Sequence, residues 1–470
     1  MDFNRFSGED QSRNRRPANL SFDPGNGPRP HAPATSPRPA IAPARHQTPF
    51  AVRQGAVLSR GKLWADVAAL AERLPDRPYL FNLCEDRYLF CAALLAALAR
   101  RQTCLLPPSG QPGVLRDIAK DCPGAYIAAE QEPADAPGPW FAIAPPEAAE
   151  VAVAPRFDPD QLAVIAFTSG STGRPKPCPH RFRAFETSAR MALCGLGLGH
   201  TRALLVSTTP PQHMYGLETS IFWPLFSSLA LYAGRPFFPE DIRETVGAAP
   251  LPCLLASTPT HLNALARTGG EWRNLLGVLC STAPLSEALA RQVEDVTGAA
   301  LREIYGSTET LSFASRRTAS ECLWRPYPGA RLEPSAPEEI RLLSSHLGNP
   351  VRLEDRLRIE PDGRFAVLGR GADMVKIGGK RGSLADLNRR LNSIQGVRDG
   401  LFHPYETASG ECRLAVVVVT DLDKREMLAA LRPHLDEVFL PRRFYFVEAI
   451  PRNAVGKVDR EGLEGLLTQP

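Results

Sequence analysis

What this 470-residue chain lacks narrows its reading first. Its ten cysteines contain no C-x-x-C pair, and its nine histidines make no metal-ligand spacing with them. They read as isolated buried thiols in a reducing compartment rather than as a metal site. Long apolar runs are missing too. Cys91–Leu98 is too short to span a bilayer, and the stretch from Leu217 to Ala233 is interrupted by Glu218 and Pro224. No basic-then-apolar leader opens the chain, so the cytoplasm is the expected compartment. Internal repeats are absent, and so is a strong charge bias. The net charge is +4, and seven Arg against four acids before residue 50 account for about +3 of it. The body is near neutral, which argues against a nucleic-acid footprint.

What is present suits a soluble protein with a real core, at 43% hydrophobic and 23% charged residues. The length allows two or more domains. Residues 1–49 are rich in Pro, Arg, Asn and Gly with almost no large aliphatics, so they cannot offset their ordering entropy and are expected to be disordered. From Phe50 onward, Leu63, Val67, Leu70, Ala71 and Leu74 recur at helical spacing until Pro75. Strand patterns follow at Tyr79–Leu83, Thr103–Leu106, Leu162–Phe167, Ala203–Ser207, Cys253–Ser257, Leu275–Cys280 and Leu301–Ile304, with helices between them. The segment from Glu130 to Asp160 is loose. Such alternation predicts an α/β fold: a large layered domain over 50–369 with mostly parallel sheets. Past Gly369 an amphipathic helix (Leu384, Leu387, Leu391, Ile394) and strands Leu414–Val419 and Phe444–Val447 predict a small α+β domain over 370–470.

The densest signal is Thr168-Ser169-Gly170-Ser171-Thr172-Gly173-Arg174-Pro175-Lys176, directly after a core strand. Its glycines let the backbone approach an anion, its hydroxyls and amides can donate to phosphate oxygens, and Lys176 adds positive charge. It is not a Walker A loop, since no Gly-Lys-Ser/Thr follows at the required spacing. A polar turn is the bland alternative. The string resembles the phosphate loop of the adenylate-forming superfamily, which includes acyl- and aryl-CoA synthetases, peptide-synthetase adenylation domains and firefly-type luciferases. The resemblance runs over about residues 51–470.

Further motifs follow in the family's order. Tyr305-Gly306-Ser307-Thr308-Glu309 resembles Tyr-Gly-x-Thr-Glu: a flat face for adenine, a hydroxyl for the α-phosphate and a hard oxygen for Mg²⁺. By itself it could be a strand-to-helix turn with a capping Thr. Ser281-Thr282-Ala283-Pro284-Leu285 resembles the segment covering the other side of adenine, with Ser and Thr in place of two glycines; a plain loop before a helix is the alternative. Asp355 matches the carboxylate that holds the ribose diol, although Leu353-Glu354 replaces the usual Thr-Gly. Arg370 matches a ribose-contacting Arg, and Ala372 stands at the hinge. His213 occupies the place of an aromatic gate beside the acyl pocket. Lys457, within Pro451–Arg460, matches the lysine that meets the substrate carboxylate and the α-phosphate.

The resemblance implies ATP and Mg²⁺, with Glu309 on the metal, and a small carboxylic acid activated to an acyl-adenylate. Catalysis would rest on Lys457, Thr308, Glu309 and His213. Rotation of the C-terminal lid would then present Gly378, Gly379 and Lys380 to CoA or phosphopantetheine, so that a free-standing acyl carrier protein is a candidate partner. Amino-acid substrates are disfavoured, because no Asp near His213 could pair an ammonium and Glu218 comes several residues too late. A fatty, hydroxy or aromatic acid is expected. Pro177 and the Gln212–Glu218 string resemble short bacterial ligases linked to polyene or aryl-polyene synthesis. A stand-alone amino-acid adenylation domain and a degenerate nucleotide-binding regulator remain as alternatives.

Overall fold

The computed structural model describes residues 47–133, 135–136, 138–144, 154–169, 175–336, 339–370, 374–377, 380–407, 411–453 and 456–467. The expected tail up to residue 46 lies outside these residues, as do Gly170, Ser171, Thr172, Gly173, Ala372, Gly378 and Gly379. Ser169, Arg370 and Lys380 are placed by the strands that carry them. Slightly before Phe50, the Thr48 carbonyl accepts from Arg60 N and Pro49 opens the first strand.

Two mostly parallel sheets dominate the described residues. One has nine strands, and from Ala300–Ser307 its neighbours run inward through Leu275–Cys280, Cys253–Ser257, Leu204–Ser207 and Ala230–Tyr232, all parallel. Six strands make the other, centred on Tyr79–Asn82, Thr103–Leu106 and Leu162–Ser169, with Pro175–Arg181 folded back antiparallel at its edge. Between them lies a helical layer. The helix Arg60–Arg73 starts where the Ser59 hydroxyl accepts from Lys62 N at 3.0 Å, and it buries Leu63, Trp64, Val67 and Leu70. The helix Arg87–Ala99, capped by Asp86, is buried on all sides from Arg87 to Leu98. That explains its Ala/Leu-rich sequence with no polar stripe, because a helix covered all round needs none. One apolar cluster joins these helices to Phe50 and Leu231 of the first sheet and to Leu80, Leu106 and Val164 of the second.

A separate apolar cluster lies in the C-terminal part, where the strands Val397–Glu406, Cys412–Thr420 and Arg443–Phe446 pack against helices Leu384–Asn392 and Lys424–Leu431. The α/β class and the small α+β arrangement therefore agree with the pattern of the sequence. Strand ends agree closely at Thr103–Leu106, Cys253–Ser257 and Leu275–Cys280. Within the stretch expected to be loose, Trp140–Ala142 forms a short edge strand against Tyr126–Ala129. Three residues carry too little periodicity to announce themselves. No helix among the described residues is long and apolar enough to cross a membrane, and all ten cysteines are free thiols.

Candidate active site

The parallel strands of the nine-stranded sheet end on a common side, where open α/β sheets bind ligands. His213, Ser281, Thr282, Ala283, Tyr305, Gly306, Thr308 and Glu309 end or follow strands of this sheet, whereas Thr168 and Lys176 lie on the six-stranded sheet. Ala300–Ser307 runs into a tight turn and returns as Leu311–Arg316, so Tyr305–Glu309 joins two antiparallel strands rather than a strand and a helix. Gly306 is needed there, because a Cβ would lie 2.2 Å from the Leu311 carbonyl oxygen. Leu311 itself adopts φ +53, an uncommon conformation for a branched side chain.

The turn carrying Thr308 and Glu309 is held from several directions. His180 Nε2–H donates to the Thr308 carbonyl at 2.7 Å, and His346 Nε2–H donates to the Thr310 carbonyl at 2.6 Å. Burial lowers both imidazole pKa values, so the neutral form is favoured and His346 Nδ1 accepts from Ser344 Oγ at 2.8 Å. Just beyond the turn, the buried Glu218 carboxylate accepts from Ser312 N and Ser312 Oγ at 3.0 and 2.8 Å, and from Ser188 Oγ at 3.0 Å. Burial raises its pKa, and these hydrogen bonds oppose the rise.

His180 lies on the strand Pro175–Arg181, which also carries Lys176 opposite Thr168. Cys178 on that strand feels both Glu309 and Lys176, so the described edge of the phosphate loop and the Thr308–Glu309 turn are neighbours. Burial pushes its thiol up to about 11, which keeps it protonated. Among the described residues no group of three or more His, Cys, Asp or Glu could hold a metal. Mg²⁺ does not need one, since it is usually held by one or two carboxylates together with substrate phosphates. The half-buried Glu309 carboxylate, on the turn whose Thr308 carbonyl meets Cys178 two residues from Lys176, fits that donor set.

Tyr305 packs its ring among Phe313, Trp324 and Phe365 at centroid distances of 5.3, 5.0 and 5.5 Å, and its hydroxyl donates to Asp355 Oδ2. The two residues expected to hold the base and the ribose are thus directly linked. Asp355 and Arg370 are partners across the hairpin Asp355–Ile359/Phe365–Arg370. On the neighbouring strand, Cys280 pairs with Glu303, so two residues further Thr282 ends beside Tyr305. Ser281 Oγ donates to the Ile304 carbonyl at 2.9 Å and Leu285 N to Glu303 Oε1 at 3.3 Å, anchoring Ser281–Leu285 on both sides. Thr282 takes φ +86, which glycine adopts freely and a β-branched residue resists. Such strain costs about 1–3 kcal/mol, against about 0.5–1 kcal/mol of extra chain entropy lost by a glycine. Thr282→Gly is therefore expected to stabilise the fold by about 1 kcal/mol, read as a higher denaturant midpoint at unchanged m.

His213 caps the short helix Met214–Leu217, its Nδ1 accepting from Tyr215 N at 3.3 Å. Its pKa falls to about 3, first through burial and then through the charge of Lys457. Next to Lys457, Gly456 packs against Thr258 and Thr260, so this loop of the C-terminal part lies over the end of the strand Cys253–Ser257. Lys457 N donates to Asn453 Oδ1 at 3.0 Å, and Arg452 is paired with Asp399 at 2.8 Å, which fixes this loop on its own sheet.

The structure brings Thr168, Lys176, His213, Ser281, Thr282, Ala283, Tyr305, Gly306, Thr308, Glu309, Asp355 and Lys457 to this region. Sequence reasoning missed the supports: His180, His346, Glu303 and Arg87. Arg87 is fully buried and donates to the carbonyls of Gly234, Ser207 and Thr209, the last two at 2.7 and 2.6 Å. Its only signal in the sequence is an arginine opening an otherwise apolar helix.

Comparison with known proteins agrees with this geometry. The AMP-binding enzyme family matches residues 68–356. The chain is 26% identical over 361 residues to the 4-chlorobenzoate–CoA ligase of an Arthrobacter species, covering 67% of each protein. It is also 26% identical over 360 residues to the 3-hydroxybenzoate–CoA/4-hydroxybenzoate–CoA ligase of Thauera aromatica, covering 66% of this chain and 67% of that one. A dimodular nonribosomal peptide synthase of Bacillus subtilis (strain 168) matches at 25% over 351 residues, 65% of this chain and 14% of that protein. Among solved structures, ATP-bound MatB from Rhodopseudomonas palustris shares the fold, with a TM-score of 0.76 at 20% identity over 90% of this chain and 96% of that one. With more than half its length matched by the family, the chain belongs to the AMP-binding enzymes, as an AMP-forming acid–thiol ligase.

Proposed function

We propose that the substrate is a small aromatic carboxylic acid, passed through its adenylate to the thiol of CoA. The observation that carries this reading is the seating of Gly456, next to Lys457, against Thr258 and Thr260, on the side of the sheet where Tyr305 is bonded to Asp355. Lys457 meets the carboxylate and the α-phosphate as charge builds on their oxygens, so the fixed cation favours the transition state over the ground state. Carboxylates are already ionised at neutral pH, and no general base is required. Thr168, Ser169, Gly170, Ser171, Thr172, Gly173 and Lys176 cradle the ATP phosphates, and Thr308 meets the α-phosphate. Tyr305, Gly306, Ser281, Thr282, Ala283, Asp355 and Arg370 hold the nucleoside. Glu309 would hold Mg²⁺, which would supply charge neutralisation for the phosphates. Residues 50–369 form the adenylation domain and residues 370–470 a mobile lid, whose Gly378, Gly379 and Lys380 serve the thiol step. The enzyme works in the cytoplasm, where its free thiols stay reduced.

Two considerations favour an aromatic acid over an amino acid. Ligases for chlorobenzoate, hydroxybenzoates and coumarate are among the relatives. Glu218, the acid nearest His213 in sequence, is committed to Ser188 and Ser312, so a buried substrate ammonium would find no partner there. A pyrophosphate-exchange panel of substituted benzoates, cinnamates, fatty acids and amino acids tests the reading, with an aromatic acid expected to give the highest kcat/KM. Exchange driven best by an amino acid overturns it. Thioester formation with free CoA, compared with a phosphopantetheine-loaded carrier protein, then identifies the acceptor.

A further inference from the structure

The loop that carries Lys457 is seated on the first turn of the helix Pro259–Leu265. Gly456 is buried, with φ +78, against Thr258 and Thr260. A Cβ on Gly456 would lie 2.7 Å from Thr260 Oγ1 and 3.3 Å from Thr258 Oγ1, so the backbone approaches as closely as a glycine allows. Its carbonyl accepts from Arg452 Nη1 at 3.0 Å and, at the limit of a hydrogen bond, from Thr260 Oγ1 at 3.5 Å. Both sides of the contact are stiff. Arg452 is clamped to Asp399, Gly456 N donates to the Asn453 carbonyl at 2.9 Å, and the Thr258 hydroxyl is bound to His261 Nδ1 at 2.8 Å.

We infer that Thr260 is a positioning residue for the adenylation half-reaction: it forms the seat that sets Gly456, and through it the neighbouring Lys457, beside His213. The inference rests on the adenylation and thiol-transfer reading given above. A side chain longer by two atoms blocks the seat while leaving the helix intact, because Thr260 is exposed and occupies the first turn. In the proposed thiol step the lid rotates to present Gly378, Gly379 and Lys380, and the contact is not used. Thr260 therefore matters for one half-reaction and is indifferent to the other.

The test compares the full-length wild type with Thr260→Gln and Thr260→Ser. Adenylation is followed by pyrophosphate exchange, and transfer is followed separately from chemically prepared acyl-adenylate and CoA. Thr260→Gln is expected to slow exchange at least about tenfold in kcat while transfer stays within about twofold, and Thr260→Ser to retain both rates. Equal losses in the two half-reactions, or no loss in either, overturn the inference. Hydrogen exchange of residues 451–459 with Mg·ATP gives a second readout that needs no acid. Faster exchange in Thr260→Gln than in wild type supports the seat, and identical exchange removes it. A wild type that activates no carboxylate fails the proposed function, and the hydrogen-exchange comparison still decides the seat.

Discussion

Lys457→Ala is expected to lower adenylate formation about 10²–10³-fold in kcat, corresponding to about 3–4 kcal/mol of lost transition-state stabilisation. ATP affinity should change little, because the side chain is exposed. Its main-chain contacts to Asn453 survive the substitution, so the loop keeps its shape. Pyrophosphate exchange at saturating ATP and acid measures the first effect, and titration calorimetry with ATP the second. The same variant should convert preformed acyl-adenylate and CoA at nearly the wild-type rate, since that step gains nothing from a cation at the phosphate. Full exchange activity in Lys457→Ala removes the catalytic assignment.

The second large effect is structural. Arg87→Met is expected to destabilise the protein by about 4 kcal/mol. The guanidinium is completely buried, and burial, helped by the nearby Arg235, lowers its pKa to about 9, so it stays charged at neutral pH. It joins the ends of two parallel strands, Leu204–Ser207 and Ala230–Tyr232, through the carbonyls of Ser207, Thr209 and Gly234. Removal leaves three inward-facing carbonyls without that donor and frees the segment that leads to Gln212 and His213. Lys at this position recovers only part of the loss, since one ammonium lacks the planar fork that spans three acceptors. Denaturant unfolding measures the cost. A loss under about 1 kcal/mol would mean that water or neighbouring amides replace the arginine.

The two expectations concern different kinds of residue, and the sequence treats them differently. Lys457, Glu309, Asp355 and the Thr168–Lys176 string stood out in the sequence because the proposed chemistry demands particular chemical groups in a fixed order along the chain. The α/β class was legible because buried parallel strands need unbroken apolar runs such as Cys253–Ser257 and Leu275–Cys280. Thr282 shows the intermediate case. Its departure from glycine was visible in the sequence, yet only the backbone reveals that it holds φ +86 between two anchors.

The linear chain by itself determined the layered class, the succession of strands and helices, and which side chains are chemically equipped to handle a phosphate, a diol and a carboxylate. Tertiary structure alone decided what holds them in place. His180 and His346 brace the Thr308–Glu309 turn from positions 128 and 36 residues away. Glu218, set aside in the sequence as too late to pair a substrate ammonium, becomes a buried brace, and Thr260 meets Gly456 across 196 residues. The physical reason is that a supporting contact needs only a donor or a close surface at the right point in space. Many residue types can supply either, so such contacts leave no pattern in the sequence.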